Sequence, residues 1–150
     1  MNPLTAMALR ATLHCLTGCA VGEVAGLAIG TALGWATAPT MILAVGLAFL
    51  FGYALTGAGL VRGGMGLRAA AGVALAADTV SIAVMEVVDN AVMLVVPGAM
   101  DAGLDDALFW GALAVALAVA FAAAVPVNRW LIARGWGHAA AHRHHGPRPA

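Results

Sequence analysis

Residues 11–34 read ATLHCLTGCAVGEVAGLAIGTALG, an apolar run longer than the roughly 20 residues that carry an α-helix across a hydrocarbon core. Within it Gly18, Gly22, Gly26, Gly30 and Gly34 recur every fourth residue. At about 100° per residue this spacing lays them in a slowly drifting groove along one side of a helix, where a second backbone approaches closely. The reading is a spanning helix with a packing seam, made against another helix of the same chain or against a second copy. A cleaved signal peptide is the rival reading, since Ala36-Thr37-Ala38 has the form of a small-residue cleavage site. The run exceeds the roughly 7–15 apolar residues of a signal core, and Glu23 lies within it.

Three more runs follow. Pro39, tolerated in a first helical turn, precedes uncharged residues from Met41 to Val61. Arg62-Gly63-Gly64-Met65-Gly66 makes a turn, and a third run extends from about Arg68 to Val96, where Pro97-Gly98 stops it. An acidic connector carries Asp101, Asp105 and Asp106, of which Asp105 or Asp106 caps a fourth helix reaching about Leu131. The expected fold is all-α, a transmembrane four-helix bundle of up-down-up-down topology. Its helices cover about 11–34, 40–61, 68–96 and 106–131 of a domain at 1–134, followed by a His-, Arg- and Pro-rich tail at 135–150.

Composition agrees. The chain is 63% hydrophobic and 9% charged, against about 45–50% and about 25% in a soluble domain, so the lipid bilayer is its expected solvent. The formal net charge is zero and lysine is absent, which gives no support to nucleic-acid binding. No phosphate-cradling glycine loop, nucleophile elbow or zinc-protease helix motif is present, so no catalytic residue is assigned. Arg10, Arg62, Arg68, Arg129, Arg134, Arg143 and Arg148 all fall on one side of a four-span arrangement. The positive-inside bias then puts both termini in the cytoplasm. Trp35 and Trp110 fall at the outer boundary and Trp130 and Trp136 at the inner one, as aromatic belts require.

The polar residues inside the runs carry the functional question. Cys15, Cys19 and Glu23 step about 40° apart and border the glycine groove. On the third helix Asp78, Ser81, Met85 and Asp89 share one face, flanked by Glu86 and Asn90. Counted from the inner boundary, Cys19 and Glu23 lie about as deep as Asp78 and Ser81, so the two faces meet mid-membrane. A buried carboxylate needs a partner, water or a proton, and no arginine lies within the runs near these acids. The residues that would exchange protons are Glu23, Asp78, Glu86 and Asp89. Thiol, thioether, imidazole and carboxylate groups from Cys15, Cys19, Met85, His14 and Glu23 alternatively suit copper or zinc. His14 sits about 100° from Cys15, which strains a site built on one helix and leaves interfacial packing as its other role. His138, His142, His144 and His145 in the tail read as metal capture or as a solvated terminus.

The strings His14-Cys15-Leu16-Thr17-Gly18-Cys19-Ala20-Val21-Gly22-Glu23 and Ser81-Ile82-Ala83-Val84-Met85-Glu86-Val87-Val88-Asp89-Asn90 carry a family likeness. Val96-Pro97-Gly98-Ala99-Met100-Asp101 and Pro126-Val127-Asn128-Arg129-Trp130 add to it. The chain resembles, over roughly Ala11 to His142, small bacterial multi-pass membrane proteins grouped as a domain of unknown function. The resemblance implies a compact helical domain in a bacterial plasma membrane and carries over no activity, substrate or site residue. Two functions follow from the residues themselves. One is handling of a cation, either a transition metal or a proton, at the buried Cys/Glu/Asp face. The other is a non-catalytic structural or interaction module, a homo-oligomer included, in which neutral acids hold helices together. Redox exchange by the thiols is disfavoured, because Cys15 and Cys19 are spaced Cys-x-x-x-Cys.

Overall fold

The computed structural model describes residues 2–135, as four helices without strands. They are α1 (Pro3–Ala32), α2 (Thr37–Arg62), α3 (Leu67–Val95) and α4 (Ala107–Ala133). The histidine tail, with His138, His142, His144 and His145, lies outside the described residues, as do Trp136, Arg143 and Arg148. All four helices are long and apolar enough to cross a membrane. Consecutive helices pack side by side, α4 returns to α1, and α1 also meets α3 across the bundle. Large apolar side chains cover the outside, among them Leu13, Ile42, Val87, Leu94 and Val115. That surface suits acyl chains and not water.

The helix ends follow local chemistry. Helix α1 starts at Pro3, well before its apolar run, because the Asn2 side chain accepts a hydrogen bond from the Leu4 N–H at 2.9 Å and Pro3 occupies the first turn. Its 30 residues make a rod of about 45 Å, longer than the roughly 30 Å hydrocarbon core, so Arg10 sits near the boundary. The fifth glycine of the series leaves the groove. Gly34 takes φ +65° beyond the end of α1, with Trp35 N–H donating to Gly30 C=O and Gly34 N–H to Thr31 C=O. Gly64 closes α2 the same way at φ +93°, with bonds from Met65 and Gly64 to Leu60 and Val61. These left-handed closures keep both links short. Asp106 caps α4, accepting from Leu108 N–H at 2.8 Å, and Trp110 donates to Leu104 C=O of the connector at 2.8 Å.

Arg10, Arg62, Arg68, Arg129 and Arg134 lie at one end of the bundle, where α1 and α3 begin and α2 and α4 finish. Arg134 stacks over the Trp130 ring at 4.1 Å. The connector with Asp101, Asp105 and Asp106 lies at the other end.

The tightest packing joins α1 to α2. Gly30, Gly26, Gly22 and Gly18 stand against Thr40, Ala44, Ala48 and Gly52, so small residues four apart on one helix meet small residues four apart on the other. A methyl group at Gly22 would collide with the Ala48 backbone, and one at Gly18 would come within 2.7 Å of Gly52 Cα. Gly52 is pressed from its other side by Ile82 of α3. Helix α4 enters through a row of its own, Ala112, Ala116, Ala120 and Ala124, all buried. The central core joins Cys15 and Cys19 of α1, Ala48 of α2, Ile82 and Met85 of α3, and Ala120 and Ala124 of α4. We expect Gly22→Ala to destabilise the bundle by about 1–3 kcal/mol, the usual cost of overpacking. Gly46→Ala, whose added methyl meets nothing within 4 Å, should be neutral or stabilising. Unfolding of the detergent-solubilised variants followed by circular dichroism checks the contrast.

Candidate functional site

Helix α1 divides its inner surface between two neighbours. The glycines face α2, and the next stripe round the helix, Cys15, Cys19 and Glu23, faces α3. Helix α3 answers with Asp78, Ser81, Glu86 and Asp89, each buried, while Val87 beside them is 71% exposed. Because α1 and α3 run parallel in this topology, their polar residues pair in ascending order. The Cys15 thiol donates to Asp78 Oδ1 at 3.5 Å. Cys19 adjoins Glu86, and Glu23 faces Asp89. The result is a column of three rungs, two thiol-to-acid and one acid-to-acid, rising from the arginine end towards the acidic connector.

Electrostatics make the upper part of this column demanding. Both carboxylate oxygens of Glu23, both of Glu86 and Oδ1 of Asp89 are buried, with no donor in hydrogen-bonding geometry among the described residues. The five described arginines are all at the far end. Two carboxyl groups that face each other in low dielectric do not both stay charged without a proton or cation between them. A cleft reaches this rung from the connector end, with Glu23, Asp89, Thr40, Met93, Ala99 and Phe109 in its walls.

The five residues considered for a soft metal are not drawn together. Cys15, Cys19 and Met85 belong to the central core, and Glu23 looks towards Asp89 and the connector cleft. His14 lines a separate cleft at the arginine end, beside Arg10 and Thr56. Among the described residues no three of His, Cys, Asp and Glu are grouped so as to hold a metal ion. Asn90, which flanks the acid face, turns back to its own helix and donates to Glu86 C=O at 2.8 Å.

One residue of the polar core was not singled out for chemistry in the sequence. Asn128 of α4 is buried, and its amide donates to Thr12 Oγ1 of α1 at 2.8 Å and to Ser81 Oγ of α3 at 2.9 Å. The Thr12 hydroxyl in turn donates to Ala8 C=O at 2.8 Å. A single side chain thereby ties three helices. The signal lay in the alanine row, since Asn128 is the next fourth residue after Ala112, Ala116, Ala120 and Ala124.

A bundle of four apolar helices enclosing an acid-rich polar column defines a multi-pass helical membrane protein. The chain belongs to DUF4396, a domain of unknown function, which it matches over residues 5–137. No curated protein and no solved structure matches it.

Replacing Asn128 with Leu removes two interhelical bonds worth about 0.6 kcal/mol each in membrane helices and leaves Ser81 without that donor. We expect the unfolding free energy in detergent to fall by about 1–2 kcal/mol. A Ser81→Ala variant should lose less, because Asn128 keeps Thr12; equal losses would mean that Asn128 acts by volume alone.

Proposed function

We propose that this protein handles a cation in the membrane, and that the cation is a proton exchanged at Glu23 and Asp89, with Glu86 next along the column and Asp78 beyond it. The observation that carries this reading is the facing pair of buried carboxyl groups at the floor of the connector cleft, at the opposite end from the described arginines. Protonation satisfies such a pair with no further ligand, whereas a hard metal ion requires about six oxygens. The lack of a metal-holding group of His, Cys, Asp and Glu among the described residues supports a proton over copper or zinc. Intramembrane acids are also the usual seats of proton exchange in membrane proteins.

In this reading the arginine end faces the cytoplasm of a bacterial plasma membrane, with both termini there, and the connector cleft opens outward. The orientation rests on the arginines gathered at one end and the aspartates at the other. A thiol lies against each lower acid. Cys15 donates to Asp78 and Cys19 adjoins Glu86, so the two carboxyl groups that face each other, Glu23 and Asp89, are the ones poised to exchange.

Vesicles reconstituted with the protein and loaded with a pH-sensitive dye test this. The wild type should dissipate an imposed pH difference faster than protein-free vesicles. Glu23→Gln, which keeps shape and loses titration, should fall to the protein-free rate with an unchanged unfolding transition, and Val87→Ala on the lipid face should retain full activity. Equal rates for wild type and Glu23→Gln would leave the acids as neutral hydrogen-bonding groups that fix helix register.

A further inference from the structure

The α1–α2 seam has a regular register. Gly30 meets Thr40, Gly26 meets Ala44, Gly22 meets Ala48 and Gly18 meets Gly52, so each step of four down α1 is a step of four up α2. Two further steps bring His14 opposite Thr56 and Arg10 opposite Leu60. His14, Arg10 and Leu60 are large where small residues would have continued the contact. Below Gly18 a cleft opens between α1, α2 and the first turns of α3.

The cleft is amphipathic. Leu55, Leu60 and Val73 are among its apolar walls, and Arg10 stands exposed among its lining residues. Between them lie two buried polar atoms without a hydrogen-bond partner, His14 Nε2 and Thr56 Oγ1, the latter on a side chain only 8% exposed. Along α1 the lining runs about 16 Å, from Pro3 beyond the boundary to His14 one turn deeper than Arg10. Arg62 and Arg68 lie at the same end, and the acids of the connector are at the opposite one.

We propose that this cleft binds one anionic glycerophospholipid. The phosphate meets the Arg10 guanidinium, His14 and Thr56 bond the glycerol and ester oxygens one turn deeper, and the acyl chains leave the cleft past the exposed Leu55 into the bilayer. Arg10 at the boundary puts the cleft at headgroup depth, and its charge selects a negative headgroup, as basic pockets between membrane helices do. The site is independent of the acid column, since none of its lining residues is a carboxylate.

Native mass spectrometry of the detergent-solubilised protein, titrated with phosphatidylglycerol or with phosphatidylcholine of the same acyl chains, tests the assignment. One phosphatidylglycerol should be retained about fivefold more tightly, the contribution of one arginine beside an anionic headgroup. Arg10→Gln should abolish that preference, and Arg129→Gln, an equal loss of charge on α4, should not. Gly59 lines the cleft, and a side chain there meets no protein atom within 4 Å of its Cβ. Gly59→Leu should therefore fill the cleft and lose both lipids with its unfolding transition preserved. The proposal fails if the wild type shows no preference, if Arg129→Gln matches Arg10→Gln, or if Gly59→Leu binds as the wild type does. It also fails if inorganic phosphate displaces the lipid, which would make the ligand a free anion.

Discussion

The near-contact of the α1 and α2 backbones along Gly18, Gly22, Gly26 and Gly30 is the constraint from which the other features follow. Lipid tails are as apolar as leucine, so burial of apolar surface gives helices in a bilayer little reason to associate. Dispersion contacts at short range must supply it, and they require small residues on both sides. Once the glycine face of α1 is committed to α2, the adjacent stripe of Cys15, Cys19 and Glu23 is turned towards α3. The parallel course of α1 and α3 then sets the order in which thiols and acids pair.

The same constraint locates both clefts. Where the seam holds, the centre of the bundle is filled, with Ile82 against Gly52 and the core closed by Ala120 and Ala124. Where it ends, space opens. At the arginine end the bulk of His14 and Arg10 interrupts the small-residue register. At the connector end Ala99 and Ala102 fold over the helix tips without filling the space above Glu23 and Asp89. The polar column is thus reached from the connector end, and its lower part runs through the filled centre of the bundle.

Asn128 provides a second, directional tie. Packing of alanines on α4 tolerates sliding by a turn, because one alanine resembles the next. Its amide, bonded to Thr12 and Ser81 at once, removes that freedom, as a single polar group does in other helix assemblies. The family's lack of an assigned activity makes this distinction useful: Asn128 answers for register, while Glu23 and Asp89, which have no comparable donors, are left for chemistry.

Much of the architecture was legible in the chain alone. Run lengths and the arginine pattern determined four spanning helices and their common basic end, and periodicity determined that Glu23 shares a stripe with Cys15 and Cys19 and that Asp78, Ser81 and Asp89 share another. These are properties of one helix at a time, and 3.6-residue geometry is enough to read them. Tertiary structure decided what depends on pairs: that the glycines dock on Thr40, Ala44, Ala48 and Gly52 of the same chain, that Asn128 reaches two other helices, and that His14 leaves the thiols for a cleft beside Thr56. A helix presents several faces of similar hydrophobicity to lipid, and only the close fit of one surface against another selects which face is buried and against whom.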